Sequence, residues 1–98
     1  MRAAQVTTLD GPGSVTVDEV DEPTGGQVVI DVEYAGVTFP DLLLTRGEYQ
    51  IKPPPPFIPG SEVSGVVRSA PEGSWITAGD RVAAFPGLGG FAQVVAAD

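Results

Sequence analysis

The sequence contains no cysteine, so disulfide bonds and a thiol nucleophile are both excluded. Basic residues are scarce: five Lys and Arg stand against 13 Asp and Glu, for a formal net charge of −8. A surface this acidic repels nucleic-acid phosphates and anionic membranes, so neither is expected as a partner. No apolar run approaches the ~20 residues of a membrane span. The N-terminus lacks a signal-peptide pattern, and a cytoplasmic protein is expected.

Glycine and proline are abundant, with 13 and 10 residues, and they separate short apolar runs. This pattern predicts many short strands joined by turns. Strands are predicted at 1–8, 14–20, 27–37, 58–67, 80–85 and 91–97, with turns at 10–13, 23–26 and 86–90 and a loop at 70–79. Alternation in the third strand places Val28, Ile30, Val32 and Tyr34 on one face. Its polar residues predict an antiparallel sheet that touches water. The second strand, by the same alternation, is expected to be half-buried.

Residues 38–46 form the one predicted helix. Thr38 is expected to cap it, or Asp41 in a shifted register, and Gly47 to end it. The four consecutive prolines at 53–56 predict an extended polyproline II segment. The predicted architecture is therefore an all-β barrel or sandwich, mainly β with one short helix.

Two motifs suggest functions that their surroundings do not support. GLGGFA at 87–92 fits the letters of a G-x-G-x-x-A dinucleotide fingerprint, but a strand-like segment follows it, so a hairpin turn is predicted. The prolines at 53–56 contain a PxxP core that could dock in an aromatic-lined groove. A rigid connector is favoured, because Ile51, Phe57 and Ile58 are expected to join the core.

Four segments, spread over most of the chain, carry ordered motifs. AGVTFPDLLLTRGEY at 35–49 resembles the pattern AGVNxxDxxxRxGxY, and PPPPFIPGSEVSGVV at 53–67 resembles the pattern P-x-x-P-G-x-E-x-x-G-x-V. GDRVAAF at 79–85 resembles the G-D-R-V strand, and GGFAQVVAAD at 89–98 resembles the G-x-[FY]-A-E-Y-V strand. Together they resemble the N-terminal GroES-like domain of medium-chain dehydrogenases/reductases. Within that family they resemble the zinc-independent quinone oxidoreductase branch.

The resemblance implies a GroES-like barrel over residues 1–98 that shapes the substrate pocket of a longer protein. A Rossmann domain that would bind NADPH is absent from these residues, so the chain alone is not expected to transfer hydride. The parent is expected to be an oxidoreductase that reduces quinones or α,β-unsaturated carbonyls (enones). Family members often dimerise through the cofactor domain, so a homodimer is one expected state of the parent.

The zinc sites of the family do not match this sequence. Zinc-dependent members bind catalytic zinc through a cysteine, the histidine of a Gly-His-Glu segment and a later residue. The corresponding positions here are Phe39 and Ser61, and neither a phenyl ring nor a neutral hydroxyl is a competent zinc ligand. Because the sequence contains no cysteine and no histidine, no metal is expected.

The resemblance also implies candidate catalytic residues. Tyr49 matches the branch's tyrosine and could donate a hydrogen bond to a substrate carbonyl, or be an ordinary core aromatic. Asp41 matches its aspartate and is either a pocket-wall carboxylate or a helix cap alone.

Four further residues are candidates for substrate or cofactor binding: Thr38, Phe39, Arg46 and Glu62. Thr38 replaces the usual asparagine and keeps one donor. Arg46 could attract the cofactor phosphate, pair with Asp41, or be a surface cation near the helix C-terminus. For Glu62 a buried structural hydrogen bond is favoured over acid–base work.

The alternative is a non-enzymatic GroES-like barrel that acts in assembly or interaction. Such a module should carry a mobile glycine-rich loop with an exposed apolar tripeptide. The sequence Leu42-Leu43-Leu44 is apolar, but its place in the predicted helix argues against this function.

Overall fold

The structure is a computed structural model that describes residues 1–24 and 27–97. Within that part of the chain it contains six strands and one α-helix. The strands are β1 Arg2–Val6, β2 Val15–Glu19, β3 Val28–Gly36, β4 Glu62–Ser69, β5 Arg81–Ala84 and β6 Val94–Ala97, and helix α1 spans Phe39–Arg46. A 3-10 turn at Pro12–Ser14 lies in the first predicted turn. Part of the turn predicted at 23–26 lies outside the described residues.

The strands form two antiparallel sheets. β1 pairs with β2, and the other strands form a four-stranded sheet in the order β5-β4-β3-β6. Isolated bridges join Ala3 to Ala92 and Val6 to Phe57, so the smaller sheet is tied to two loops of the larger one. No helix in residues 1–24 or 27–97 is long and apolar enough to cross a membrane.

Two apolar clusters hold these elements together. The larger cluster lies on one face of the four-stranded sheet and consists of Val28, Ile30, Val63, Val67, Val95 and Ala97. The smaller cluster consists of Val6, Leu44 and Phe57, with Tyr49 packed against it. It fastens α1 to β1 and to the segment that follows the prolines, so the position of the helix depends on residues distant in sequence.

A β-bulge in β3 interrupts the regular alternation of its side chains, so the predicted placement of Tyr34 is wrong. Val32 pairs with Gly65 and Tyr34 pairs with Ser64, so one extra residue is inserted between the two pairs. The extra residue reverses the faces: Val32 and Ala35 pack against the larger cluster. Tyr34, which was predicted on the same face as Val32, is 76% exposed.

Strand β2 is more exposed than predicted. Its alternating valines predict a half-buried strand, but Val17 is 63% exposed and only Val15 reaches the smaller cluster. Among the named strands of the described chain, β2 pairs with β1 alone.

The loop between β5 and β6 is not the predicted hairpin turn, because the two strands lie at opposite edges of the sheet. Instead, the backbone amides of residues 89–91 donate to the carbonyl oxygens of residues 58–60 at 2.8 to 3.0 Å. Strand β6, rather than a helix, follows the glycines, as predicted.

The proline segment is anchored at one end only. It bends at Pro55 and Pro56, so it is not one continuous polyproline II segment. Phe57 is buried in the smaller cluster, as expected. Ile51 is 51% exposed, so the expectation that it joins the core is wrong.

Candidate functional site

The first turn of α1 forms one side of the site. Thr38 is the N-cap, with extended backbone angles, and Asp41 occupies the third helical position of a capping box. The Thr38 amide donates to Asp41 Oδ2 at 2.8 Å, and the Asp41 amide donates to the Thr38 carbonyl at 3.1 Å. The cap is therefore Thr38, and the shifted register with Asp41 as cap is wrong. At the other end Gly47 adopts the left-handed conformation (φ 68°) and stops the helix, as predicted.

The Asp41 carboxylate is buried, with 3% of the residue exposed. Its Oδ2 accepts a second hydrogen bond from the Thr38 hydroxyl at 3.0 Å. Its Oδ1 is buried and has no hydrogen-bond partner among the described residues. The positive end of the helix dipole stabilises a negative charge at this position.

Ser61 faces Thr38 from the segment that leads into β4. The hydroxyl oxygens of the two residues lie 3.5 Å apart, although 23 positions separate them in sequence. Together they form a hydroxyl pair, Thr38 and Ser61, of which both members are half-buried. In the sequence Ser61 is marked only by its place at a zinc-ligand position, and no local signal predicts its contact with Thr38.

Ser61 is placed by a close crossing of two loops. Gly60, which precedes it, has a φ of 108°, a conformation that favours glycine. A Cβ atom at Gly60 would lie 2.6 Å from the amide nitrogen of Phe91, so no larger residue fits there without a shift. The Gly87 amide also donates to the Ser61 carbonyl at 3.4 Å.

Glu62 lies beside the hydroxyl pair at the start of β4. It pairs with Gly36 of β3, and its carboxyl group folds over that glycine in the space that a Cβ would fill. Glu62 is half-buried, and its carboxylate makes no hydrogen bond to another described residue, so the expected buried structural hydrogen bond is not observed. It lines a cleft of about 230 Å³ together with Tyr34 and Phe85.

Phe39 follows Thr38 directly and is 68% exposed. Three other large apolar side chains are also exposed. Val37 precedes Thr38 in sequence, and Tyr34 and Phe85 line the cleft beside Glu62. The candidate site therefore combines a buried carboxylate, two hydroxyls and an uncovered aromatic rim.

Two predicted site residues lie away from this cluster. Tyr49 is half-buried against the cluster of Val6, Leu44 and Phe57, which is the environment of a core aromatic. Arg46 is exposed in the last turn of α1, as expected for a cation near the helix C-terminus. It makes no ion pair with Asp41, which lies in the first turn, so the proposed pairing is wrong.

A zinc ion does not fit this arrangement. No three Asp, Glu, His or Cys side chains in residues 1–24 and 27–97 are grouped so that they could hold a metal. The two positions that matched zinc ligands present an exposed phenyl ring, Phe39, and a hydroxyl, Ser61, next to Thr38. These groups lack the thiolate or imidazole donors that zinc prefers.

A sequence model described as the alcohol dehydrogenase GroES-like domain matches residues 24–98. This chain belongs to that family. The match confirms the resemblance drawn from the four sequence motifs, and the mainly β fold with one short helix is the GroES-like fold.

Relatives of this GroES-like domain include quinone oxidoreductase-like protein 2 of Mus musculus, with 48% identity over 84 residues, which covers 83% of this chain and 23% of the mouse protein. The crystal structure of a probable oxidoreductase from Mycobacterium abscessus superimposes with a TM-score of 0.95 and 55% sequence identity. The match covers 98% of this chain and 31% of the Mycobacterium abscessus chain. The quinone oxidoreductase of Thermus thermophilus, solved also in complex with NADPH, has a TM-score of 0.81 and 38% identity, and covers 99% of this chain and 30% of that one. The chain thus spans between 23% and 31% of the length of these relatives.

Proposed function

We propose that this GroES-like domain forms the substrate pocket of an NADPH-dependent, zinc-independent oxidoreductase that reduces quinones or enones. The observation that carries the proposal is the Ser61 hydroxyl, which stands where a zinc-dependent relative would need a histidine ligand and lies 3.5 Å from the Thr38 hydroxyl. Without a metal, the substrate carbonyl has to be polarised by hydrogen-bond donors. The similarity to the Thermus thermophilus quinone oxidoreductase supports this reading.

In this proposal NADPH binds mainly to a Rossmann domain of a longer protein, as the small share of the relatives' length suggests. Bound NADPH would supply the hydride. The described residues contain no glycine-rich turn that opens a helix, so they offer no pyrophosphate site of that kind. The exposed rim of Tyr34, Val37, Phe39 and Phe85 suits flat apolar rings, such as a quinone or a nicotinamide.

The roles of the individual residues are part of the proposal. Thr38, Phe39 and Glu62 border the substrate, and Asp41 holds Thr38 in place. Arg46 stays a candidate for the cofactor phosphate, since its side chain is exposed. Tyr49 stays a candidate donor, although its packing against the smaller cluster supports a core role.

The assembly module is the less favoured alternative. The apolar tripeptide at 42–44 lies inside α1, and Leu44 is only 2% exposed within the smaller cluster. A chaperone-type contact needs an apolar segment that is free to bind a partner, and a helix anchored by Leu44 does not provide one.

The test uses the full-length gene product, purified and treated with a chelator. NADPH oxidation is followed with a small panel of quinones and enones, and NADH serves as the matched cofactor control. We expect turnover that survives chelation and is faster with NADPH. Loss of turnover on chelation, with recovery on adding zinc, would contradict zinc independence. No NADPH binding and no turnover would contradict the reductase function as a whole.

Two broader predictions belong to the same proposal. A homodimer of the full-length protein is expected, and light scattering of the purified protein measures it. A cytoplasmic location is expected, and fractionation of the source cells measures that.

A further inference from the structure

The hydrogen-bonding protons of the site can be counted, because each hydroxyl carries one proton and a carboxylate carries none. Thr38 donates its hydroxyl proton to Asp41 Oδ2 at 3.0 Å. Thr38 therefore presents only lone pairs toward Ser61. In the 3.5 Å contact between the two hydroxyls, Ser61 is the donor and Thr38 the acceptor.

The proton of Ser61 is held only weakly in this contact. A separation of 3.5 Å is at the long limit of a hydrogen bond, well beyond the usual ~2.7–2.8 Å between hydroxyl oxygens. The backbone of Ser61, by contrast, is fixed by the loop crossing at Gly60 and Gly90. A hydroxyl on a fixed backbone can rotate its proton to a better acceptor at small cost.

We infer that Ser61, rather than Thr38 or Tyr49, donates the hydrogen bond to the carbonyl oxygen of the substrate. A carbonyl oxygen that approached Thr38 would meet lone pairs, because the only proton of that hydroxyl is committed to Asp41. At Ser61 the same oxygen meets an available proton. The inference rests on the proposed reductase function and makes Asp41 and Thr38 positioning residues.

This arrangement favours the reacting state over the bound substrate. When hydride reaches a quinone or an enone, negative charge develops on the carbonyl oxygen. A neutral donor on that oxygen becomes stronger as the charge grows, so it acts on kcat more than on KM. Thr38, oriented by the buried carboxylate, accepts the Ser61 proton until a substrate carbonyl replaces it.

The decisive experiment compares Ser61→Ala with Ser61→Thr in the full-length gene product, with cyclohexenone as the probe. Loss of one donor of this kind lowers kcat by about a hundredfold, and KM for the enone changes less. Ser61→Thr keeps a hydroxyl and retains most of the activity. The dissociation constant for NADPH, measured by fluorescence, is expected to be unchanged in both variants.

A spectroscopic signature separates donation from a structural role. The carbonyl stretch of bound cyclohexenone, measured by difference infrared spectroscopy, shifts to lower frequency when the oxygen accepts a hydrogen bond. We expect the shift in the wild-type protein and in Ser61→Thr, and its loss in Ser61→Ala. If Ser61→Ala does not fold, Ser61→Cys, which keeps a weaker donor, should show a smaller shift.

The outcomes distinguish this inference from the proposed function. If Ser61→Ala keeps both kcat and the infrared shift, Ser61 is not the donor, and the reductase function stands. If the wild-type protein does not oxidise NADPH, the proposed function is overturned, and the infrared shift alone decides the role of Ser61. Absence of any shift in the wild-type protein overturns the inference directly.

Discussion

One carboxylate oxygen of Asp41 accepts both hydrogen bonds that Thr38 can donate, from the amide at 2.8 Å and from the hydroxyl at 3.0 Å. This double contact fixes the first turn of α1 and the direction of the Thr38 hydroxyl at once. A helix cap and a feature of the candidate site are thus the same interaction.

Replacing Asp41 should therefore cost stability. Asp41→Ala removes the acceptor for both Thr38 donors, and loss of a helix-capping interaction typically costs about 0.5–2 kcal/mol. We expect the free energy of unfolding, measured by urea denaturation of the chain, to fall by that amount. Asp41→Asn, which keeps one carbonyl oxygen as acceptor, is the matched variant and should fall less. Equal losses in the two variants would show that the cap does not depend on an acceptor here.

Gly65 should not tolerate a side chain. A Cβ atom at this position would overlap the carbonyl oxygen of Asp31 in the neighbouring strand, and the Asp31 carbonyl carbon and Ile30 Cγ2 would each be 3.0 Å away. Since the first obstacle is backbone, Gly65→Ala should destabilise the domain by about 1–3 kcal/mol, as overpacking does. Gly13→Ala, where no atom lies within 4 Å, is the control and should be nearly neutral. A neutral Gly65→Ala would contradict the register of β3 and β4.

Gly36 and Glu62 should be energetically coupled. A Cβ at Gly36 would meet the carboxyl end of Glu62, which is a flexible side chain and can move. We expect Gly36→Ala to be less damaging than Gly65→Ala, and to become nearly neutral when Glu62→Ala is present as well. A double-mutant cycle on the free energy of unfolding measures this coupling, and additive losses would show that the two residues are independent.

Arg68 joins three segments of the surface. Its guanidinium pairs with Asp31 of β3 at 2.6 Å and with Glu22 of the β2–β3 connection at 2.7 Å. The hydrogen bonds from Arg68 to Asp31, and then to Glu22, raise the pKa of Arg68 above its ordinary value. A cation whose pKa is higher in the folded than in the unfolded protein stabilises the folded state at every pH below the unfolded-state pKa. This stabilisation is lost as the pH rises through the folded-state pKa. The contribution of Arg68 itself should therefore be constant through neutral pH and be lost only in strong alkali.

Salt is the more useful variable for these pairs. Arg68→Gln should lower the melting temperature slightly at low ionic strength, and the difference should shrink in 1 M salt, because exposed ion pairs are screened. Arg81→Gln, which removes a single exposed pair with Glu33 at 2.6 Å, is the matched control and should have a smaller effect. A salt-independent difference for Arg68→Gln would point to packing rather than charge.

Local features of the fold could be predicted from the sequence because they depend on neighbouring residues. The cap at Thr38 and the stop at Gly47 follow from side-chain and backbone chemistry within one helical turn. The exposure of Tyr34 could not be predicted in this way. It depends on a bulge whose position is set by pairing with Ser64 on another strand.

In the candidate site, too, the local contacts could be predicted from the sequence and the contacts between distant segments could not. The involvement of Thr38 and Asp41 was predicted, since both lie in one short motif. The contact of Thr38 with Ser61 was not predicted, because it brings together segments 23 residues apart and depends on a third segment at 87–91. Tyr49 and Arg46 share the motif with Thr38, but the helix carries them to its far end and into other surroundings.

The crossing of residues 58–60 with residues 89–91 also sets an order of events during synthesis on the ribosome. A nascent chain that has emerged only as far as α1 already contains both partners of the Thr38–Asp41 cap. The segment that holds Ser61 lacks these backbone partners until residues near 91 emerge, because the donating amides follow it in the sequence. The Thr38 cap can therefore form before the backbone of Ser61 has its loop partners in place.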